Sequence, residues 1–492
     1  MAIVDPATKQ SASYIRPSSW ADGLRGIAAL FVVASHTCLS FATYLIPPSF
    51  AETGKSILFQ RPFFRLVIQG QAWVAIFLVL LGFVNALKPL QLARRGATAD
   101  ALATLSTGAF RRKWRLVFPA ALMTILAWLL CQFGAFQLGR RVDAYWLRAT
   151  SPQQSPSLGT AFVDLIRQIA GTWMYGENAY DQPQWALLPL FRGSLYVFMT
   201  LLALVNATPL FRFCAQMVLY TYSWVTLDGT VGTNIFAGMI LAELSFYNLS
   251  ALRPRLIFNF LPYGLVTLGL YICSYPDQYA DQTEWSSQLA SLAEIIFPKD
   301  ANVSRYYASL GAQMICFGVM LSPLMRRMLS HPVLLWLGSI SFPLYLVHGP
   351  LMRSVLVYLL YLPMSIGFEP ALRADGTPDS ESYIPTPGPF RLGIILSMFF
   401  VFLLYVVQQW TKHIEPKMGA LTASLERFSR SWGKNATWTS KEKDEMLPIT
   451  SIRESYDIVY ELNFLVVDAS QPKHQLILIQ YYDHNVQSRK LE

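Results

Sequence analysis

Residues 20–36 read WADGLRGIAALFVVASH, and their reading decides the fold. They open an apolar block over 24–46 that carries Arg25 and His36 inside it. A block of that size matches the roughly 20 residues needed to cross a bilayer. In lipid a lone segment satisfies its own backbone hydrogen bonds only as a helix, so the block is read as a spanning helix. Comparable blocks follow near 66–87, 116–138, 187–207, 210–227, 231–247, 256–274, 309–325, 334–362 and 391–410. The expected fold is therefore an all-α, polytopic integral membrane protein of about ten transmembrane helices. The ninth block is long enough to be kinked at Pro343 or Pro350.

Composition agrees. Of 492 residues, 53% are apolar and 14% charged, against about 25% charged in soluble domains. Disordered, fibrous and disulfide-scaffold classes are excluded, and no basic, aromatic-interleaved patch suggests nucleic-acid binding. The net charge of +9 reports topology first. The connection 88–115 holds Lys88, Arg94, Arg95, Arg111, Arg112, Lys113 and Arg115 against Asp100 alone. Arg253 with Arg255, and Arg326 with Arg327, mark later turns on the same side. By contrast, 275–308 has five acids to two bases and 363–390 four acids to one base, while 47–65 runs the other way with three bases and one acid. The balance places both ends in the cytosol.

Three regions follow: a cytosolic N-terminal segment 1–21, a membrane domain 22–412 and a cytosolic tail 413–492. No cleavable leader is visible, and the first block is expected to act as an uncleaved signal anchor. An amphipathic run near 160–175 either lies on the membrane, caps a cavity or is an ordered loop. In the tail, Leu476 to Tyr482 looks like a short strand. Asn302-Val303-Ser304 is the glycosylation triplet expected on the non-cytosolic face, in an endomembrane such as the endoplasmic reticulum. Cys38, Cys131, Cys214, Cys273 and Cys316 lie singly inside apolar blocks as packing residues, and no metal site is expected. No internal repeat supports a transporter of matching halves.

Arg25 and His36 are eleven positions apart, close to three full turns. Both project from one face, about 16 Å apart along the axis, with Asp22 near that face. This puts a charged cluster at the cytosolic mouth and an imidazole near the middle of the membrane, where a polar group faces a cavity or the bundle interior. Such a histidine is either a general base or a buried group tied to a neighbouring helix. Arg111, Arg112, Lys113 and Arg115 cluster at an expected helix start, suited to phosphates or to anionic lipid. Ser341, Tyr345 and His348 fall on one helical stripe, lining a cavity or packed in the core.

The segment Asp22 to Ala29, followed by His36, resembles the first-helix signature of the acyltransferase 3 family, polytopic membrane O-acyltransferases. Phe77–Phe83 with Leu87–Leu90, Phe110–Leu116 with Pro119, Trp185 through Ser194, Gly238–Glu243 and Ser341–Pro350 resemble further family segments in the same order, some in a fungal form. The resemblance covers about residues 20–412. It implies transfer of an acyl group, acetyl above all, from acyl-CoA as co-substrate to a hydroxyl. The acceptor is either a small hydrophobic molecule, as in secondary-metabolite biosynthesis, or a cell-surface glycan. His36 would be the base, with Arg25, Arg112, Arg115, Arg111 and Lys113 at the phosphates. Ser341, Tyr345 and His348 would place the acceptor or stabilise the oxyanion.

The chain departs from the family pattern at Leu190, where a glutamate is usual, and at Leu81, where a serine is usual. Glu243 or Asp228 would then supply an acid from another helix, or activity is altered. Arg192 is a second-rank site candidate, while Arg212 and Arg353 are read as lying near helix ends. The rival function is a non-catalytic carrier of lipids or metabolites, its pathway lined by the same polar residues.

Overall fold

A computed structural model describes residues 18–247, 255–369 and 382–432. In chain order the first helices are α1 (Ser19–Phe41), α2 (Gly70–Arg94), α3 (Thr98–Gln132), α4 (Tyr145–Thr150) and α5 (Leu158–Met174). Next come α6 (Leu187–Leu204), α7 (Pro209–Val225), α8 (Gly232–Leu244), α9 (Arg255–Ile272) and α10 (Glu284–Ile296). The chain continues through α11 (Val303–Leu321), α12 (Pro323–Leu329), α13 (Pro332–Ser339), α14 (Ser341–Leu351) and α15 (Val357–Ser365). It closes with α16 (Pro389–His413) and α17 (Glu415–Ser431). Among the described residues the sole β pairing is an isolated bridge between Val142 and Ile384. The all-α membrane class holds.

Every expected apolar block carries a helix, but the count of about ten crossings is not confirmed. Among the described residues six helical stretches are long and apolar enough to span by length and composition, or seven if α11 and α12, bent by 104°, count as one. α7 and α8 have 17 and 13 residues, and at 1.5 Å per residue α8 covers about 20 Å of a core roughly 30 Å thick. The ninth block is broken at Ile340, between α13 and α14. After Pro350 it passes through a π-helical turn, Met352–Leu356, before α15. Proline has no N–H to continue the ladder, so the π turn after Pro350 has a local cause.

α2 is the central strut. It is buried nearly all round, including Trp73, Leu78, Val79, Leu80 and Phe83, as expected for a helix that is apolar on every face. It packs against α8, α11, α1 and α6. Gly82 and Gly238 meet at the α2–α8 crossing, where a methyl on either would run into the partner's backbone. Small residues let membrane helices approach this closely.

Two boundaries move functional residues. α1 begins at Ser19 and ends at Phe41, earlier than expected, because Trp20 is buried against Phe83 and the chain leaves the helix before Pro47 and Pro48. His36 therefore sits about 25 Å from the start of α1, toward its C-terminal end. α3 starts at Thr98, not near residue 116. Ala and Leu in 98–109 carry the helix outward, so Arg111 to Arg115 lie in its interior, where backbone N–H groups are already bonded.

The tail begins with α17, which returns to the basic end of α3: Arg111 Nε lies 2.5 Å from Glu426 Oε2, and Arg430 reaches both Glu426 and Thr107. α5 confirms the amphipathic run, with Leu158, Phe162 and Ile166 exposed along one face. Arg253, the strand expected at Leu476–Tyr482 and residues 1–17 fall outside the described residues. All five cysteines are unpaired; Cys131, Cys273 and Cys316 are buried, Cys38 is half-buried, and Cys214 is exposed on α7.

Candidate active site

α1 and α14 bring two distant histidines together. His36 Nδ1 lies 2.9 Å from His348 Nε2, and His348 Nδ1 lies 3.1 Å from the carbonyl of Leu344. A carbonyl only accepts, so His348 donates from Nδ1. In the neutral ring its Nε2 is then an acceptor, and His36 must donate from Nδ1. His36 is left with a lone pair on Nε2. The indole of Trp146 stacks on its ring, centroids 4.8 Å apart. His348 is fully enclosed while His36 keeps some accessible surface.

One turn before these histidines, Val32 and Tyr345 form the inner wall of a cavity of about 550 Å³. Phe77, Leu80, Leu81, Ala186 and Leu190 give it apolar sides, and Asp22, Arg25, Arg112, Arg115 and Glu415 line its basic end. An open cleft of about 730 Å³, carrying Lys88, Arg111 and Asp100, adjoins it and shares Val84, Asn85, Arg112 and Arg115. Arg25 donates to Gly338 O at 2.9 Å and approaches Asp22 at 3.3 Å. The Nε–H groups of Arg25 and Arg112 are buried without a protein acceptor. Cationic donors lacking acceptors at the junction of an open cleft and an apolar chamber suit an anionic head with an apolar arm.

The other expected residues divide. Ser341 and Tyr345 line the cavity, but their hydroxyls already donate, to Gly338 O at 2.8 Å and to Pro183 O. They offer lone pairs to a ligand, not protons. Arg111 lines the cleft and is paired with Glu426; exposed Lys113 lies over Trp114, 5.4 Å from the ring centroid. Glu243 is not at the histidines: its carboxylate is held by Arg94 at 2.6 Å and Arg212 at 2.7 Å, and it lines neither chamber. Asp228 accepts from the backbone of Val231 at the start of α8. Leu190 and Leu81 both face the cavity, so the departures from the family pattern make this wall apolar.

Three contributors were not legible in the sequence. Trp146 comes from α4, a short helix between the expected apolar blocks 116–138 and 187–207. Arg353, read as near a helix end, is wholly buried in the π turn and pairs with buried Asp181 at 2.8 Å. No spacing rule links positions 146, 181 and 353. Among the described residues no group of three His, Cys, Asp or Glu side chains gathers as for a metal.

Residues 18–406 match the family model described as "Acyltransferase domain", of the acyltransferase 3 family. The chain belongs to that family. Its curated relatives are fungal. O-acetyltransferase PaAT-1 of Phomopsis amygdali is 26% identical over 394 residues, 72% of this chain and 77% of the relative. Acyltransferase R4 of a Phoma species is 23% identical over 475 residues, 84% and 97% of the two chains. Acyltransferase clz18 of Cochliobolus lunatus is 24% identical over 407 residues, 71% and 84%. No solved structure matches this acyltransferase. It is a multi-pass membrane acyltransferase, and the segments around Arg25, Arg112, Leu190 and His348 all fall inside the matched span.

Proposed function

We propose that this acyltransferase moves an acyl group, acetyl foremost, from acyl-CoA to a hydroxyl of a small hydrophobic acceptor, as in secondary-metabolite biosynthesis. The carrying observation is the basic cleft that opens, at Arg112 and Arg115, into an apolar chamber ending one turn from the His36–His348 pair. The phosphates of CoA would take Arg25, Arg112 and Arg115, with Arg111 once freed from Glu426. The pantetheine arm would follow the chamber toward Val32 and Tyr345.

In the reaction the acceptor O–H gives its proton to Nε2 of His36 as its oxygen bonds to the thioester carbon. The tetrahedral intermediate then expels the CoA sulfur, which takes that proton back as the C–S bond breaks. General acid–base help of this kind contributes about 10²–10⁴-fold. His348 holds His36 in the tautomer that frees Nε2 and shares the positive charge that develops. The name of PaAT-1 as an O-acetyltransferase supports acetyl as the group moved. An endomembrane location with glycosylation at Asn302 fits that residue's exposure: its Oδ1 caps α11 by accepting from Arg305 N–H, leaving the amide nitrogen for a glycan.

The test uses purified protein in detergent, acetyl-labelled acetyl-CoA and a panel of hydrophobic alcohols. Labelled ester with equimolar free CoA is expected. Neither CoA binding nor transfer would favour a carrier instead.

A further inference from the structure

The fully buried Arg353–Asp181 pair touches neither chamber. A buried ion pair is rarely worth more to stability than apolar residues of the same volume, and at membrane depth charges usually mark function. The contacts show what this one joins. Arg353 donates from Nε to Gly349 O at 3.1 Å, from Nη1 to Thr150 O at 2.7 Å and from Nη2 to Asp181 Oδ1 at 2.8 Å. Gly349 follows His348 directly. Thr150 ends α4, the helix whose Trp146 stacks on His36. Asp181 begins the turn in which Pro183 O accepts the Tyr345 hydroxyl. One guanidinium therefore ties the three segments that hold His348, Trp146 and the Tyr345 acceptor, the first two through backbone carbonyls and the third through the Asp181 carboxylate.

The brace is built to fit. The π turn after Pro350 sets the position of Arg353, and such single turns recur at functional sites. A methyl on Gly349 would lie 2.6 Å from Asp181 Oδ1, so only glycine admits the carboxylate beside the histidine helix. The second oxygen of Asp181 accepts from Gln184 Nε2 at 3.1 Å, and Gln184 Oε1 accepts in turn from Thr124 and Asn178. Every polar group of the pair is satisfied, which a rigid buried network requires.

We propose that Arg353, oriented by Asp181, is a positioning residue that sets the register of His348 against His36 and Trp146, and with it the tautomer that frees His36 Nε2. The inference rests on the acyl-transfer reading for its kinetic consequence, not for its structural one. It is tested in the full-length protein with Asp181→Asn and Arg353→Lys, monitoring thiol release from acetyl-CoA, CoA binding by calorimetry, thermal unfolding and ¹⁵N shifts of the imidazoles assigned with His36→Gln and His348→Gln. The wild type should show His36 protonated on Nδ1. Both variants should lose that single tautomer and at least tenfold in kcat, while KM for acetyl-CoA stays within about twofold and Asp181→Glu recovers part of the loss. Should Asp181→Asn not fold, Gln184→Leu, which keeps the ion pair, should give a smaller fall in the same direction. A folded variant with wild-type kcat and an unchanged tautomer would overturn the brace, as would loss of CoA binding in step with kcat. A wild type that neither binds CoA nor releases it would defeat the acyl-transfer reading alone, and the imidazole shifts would still decide the brace.

Discussion

His36 and His348, 312 positions apart in the chain, share one hydrogen bond of 2.9 Å. Because His348 is anchored to Leu344 O, the bond runs in one direction and leaves the outer nitrogen of His36 basic. Replacing His348 by phenylalanine keeps a ring and removes the acceptor. Thiol release from acetyl-CoA should then fall by about 10²-fold, within the range of lost acid–base assistance, while calorimetry shows CoA bound as in the wild type.

Arg112 and Arg115 belong to both chambers; Lys113 belongs to neither. A charge-assisted hydrogen bond contributes roughly 1.5–3 kcal/mol, so Arg112→Ala or Arg115→Ala should weaken CoA binding about 10–100-fold. Lys113→Ala should leave it unchanged. Titrations at two salt concentrations should show a shallower salt dependence for the arginine variants alone.

Glu243 illustrates a different consequence of burial. Its charge answers both Arg94 and Arg212, and removing one member of a buried ion network destabilises by roughly 3–5 kcal/mol. Glu243→Gln should lower the unfolding temperature in detergent markedly, yet CoA affinity of the folded fraction should match the wild type.

The Arg111–Glu426 contact joins the outward end of α3 to α17. Residues near 100 and near 420 are then expected on the same side of the membrane, and the charge distribution predicts that this is the cytosolic side. Single cysteines at 100 and 420, in a background freed of native cysteines, should react alike with a membrane-impermeant maleimide applied to sealed vesicles. Labelling from opposite sides would contradict the packing.

The helices, the shared face of Arg25 and His36, and the stripe of Ser341, Tyr345 and His348 were legible because an apolar period and helical spacing act over a few residues. His348 was legible as a member of its stripe, but its partner was not, since pairing to His36 is set by how α1 and α14 cross. The outward reach of α3 was hidden because residues 98–109 form helix by propensity without being apolar enough to signal a span. The pairing of Asp181 with Arg353 was not legible for a related reason: in the sequence each is a lone charge beside an apolar block. Only the turn at 178–186, folded against the π turn, makes them partners. Leu190 stands where the family resemblance leads one to expect a glutamate, and the structure places it in the apolar part of the cavity wall.

The central claim is that His36 is the base of an acyl-CoA-dependent transfer. Its most direct test compares wild type and His36→Ala for transfer of labelled acetyl from acetyl-CoA to an accepted alcohol, with CoA binding measured on the same preparations. The account predicts intact binding and a loss of transfer of about 10²–10⁴-fold in the variant. Transfer at the wild-type rate by His36→Ala would contradict it.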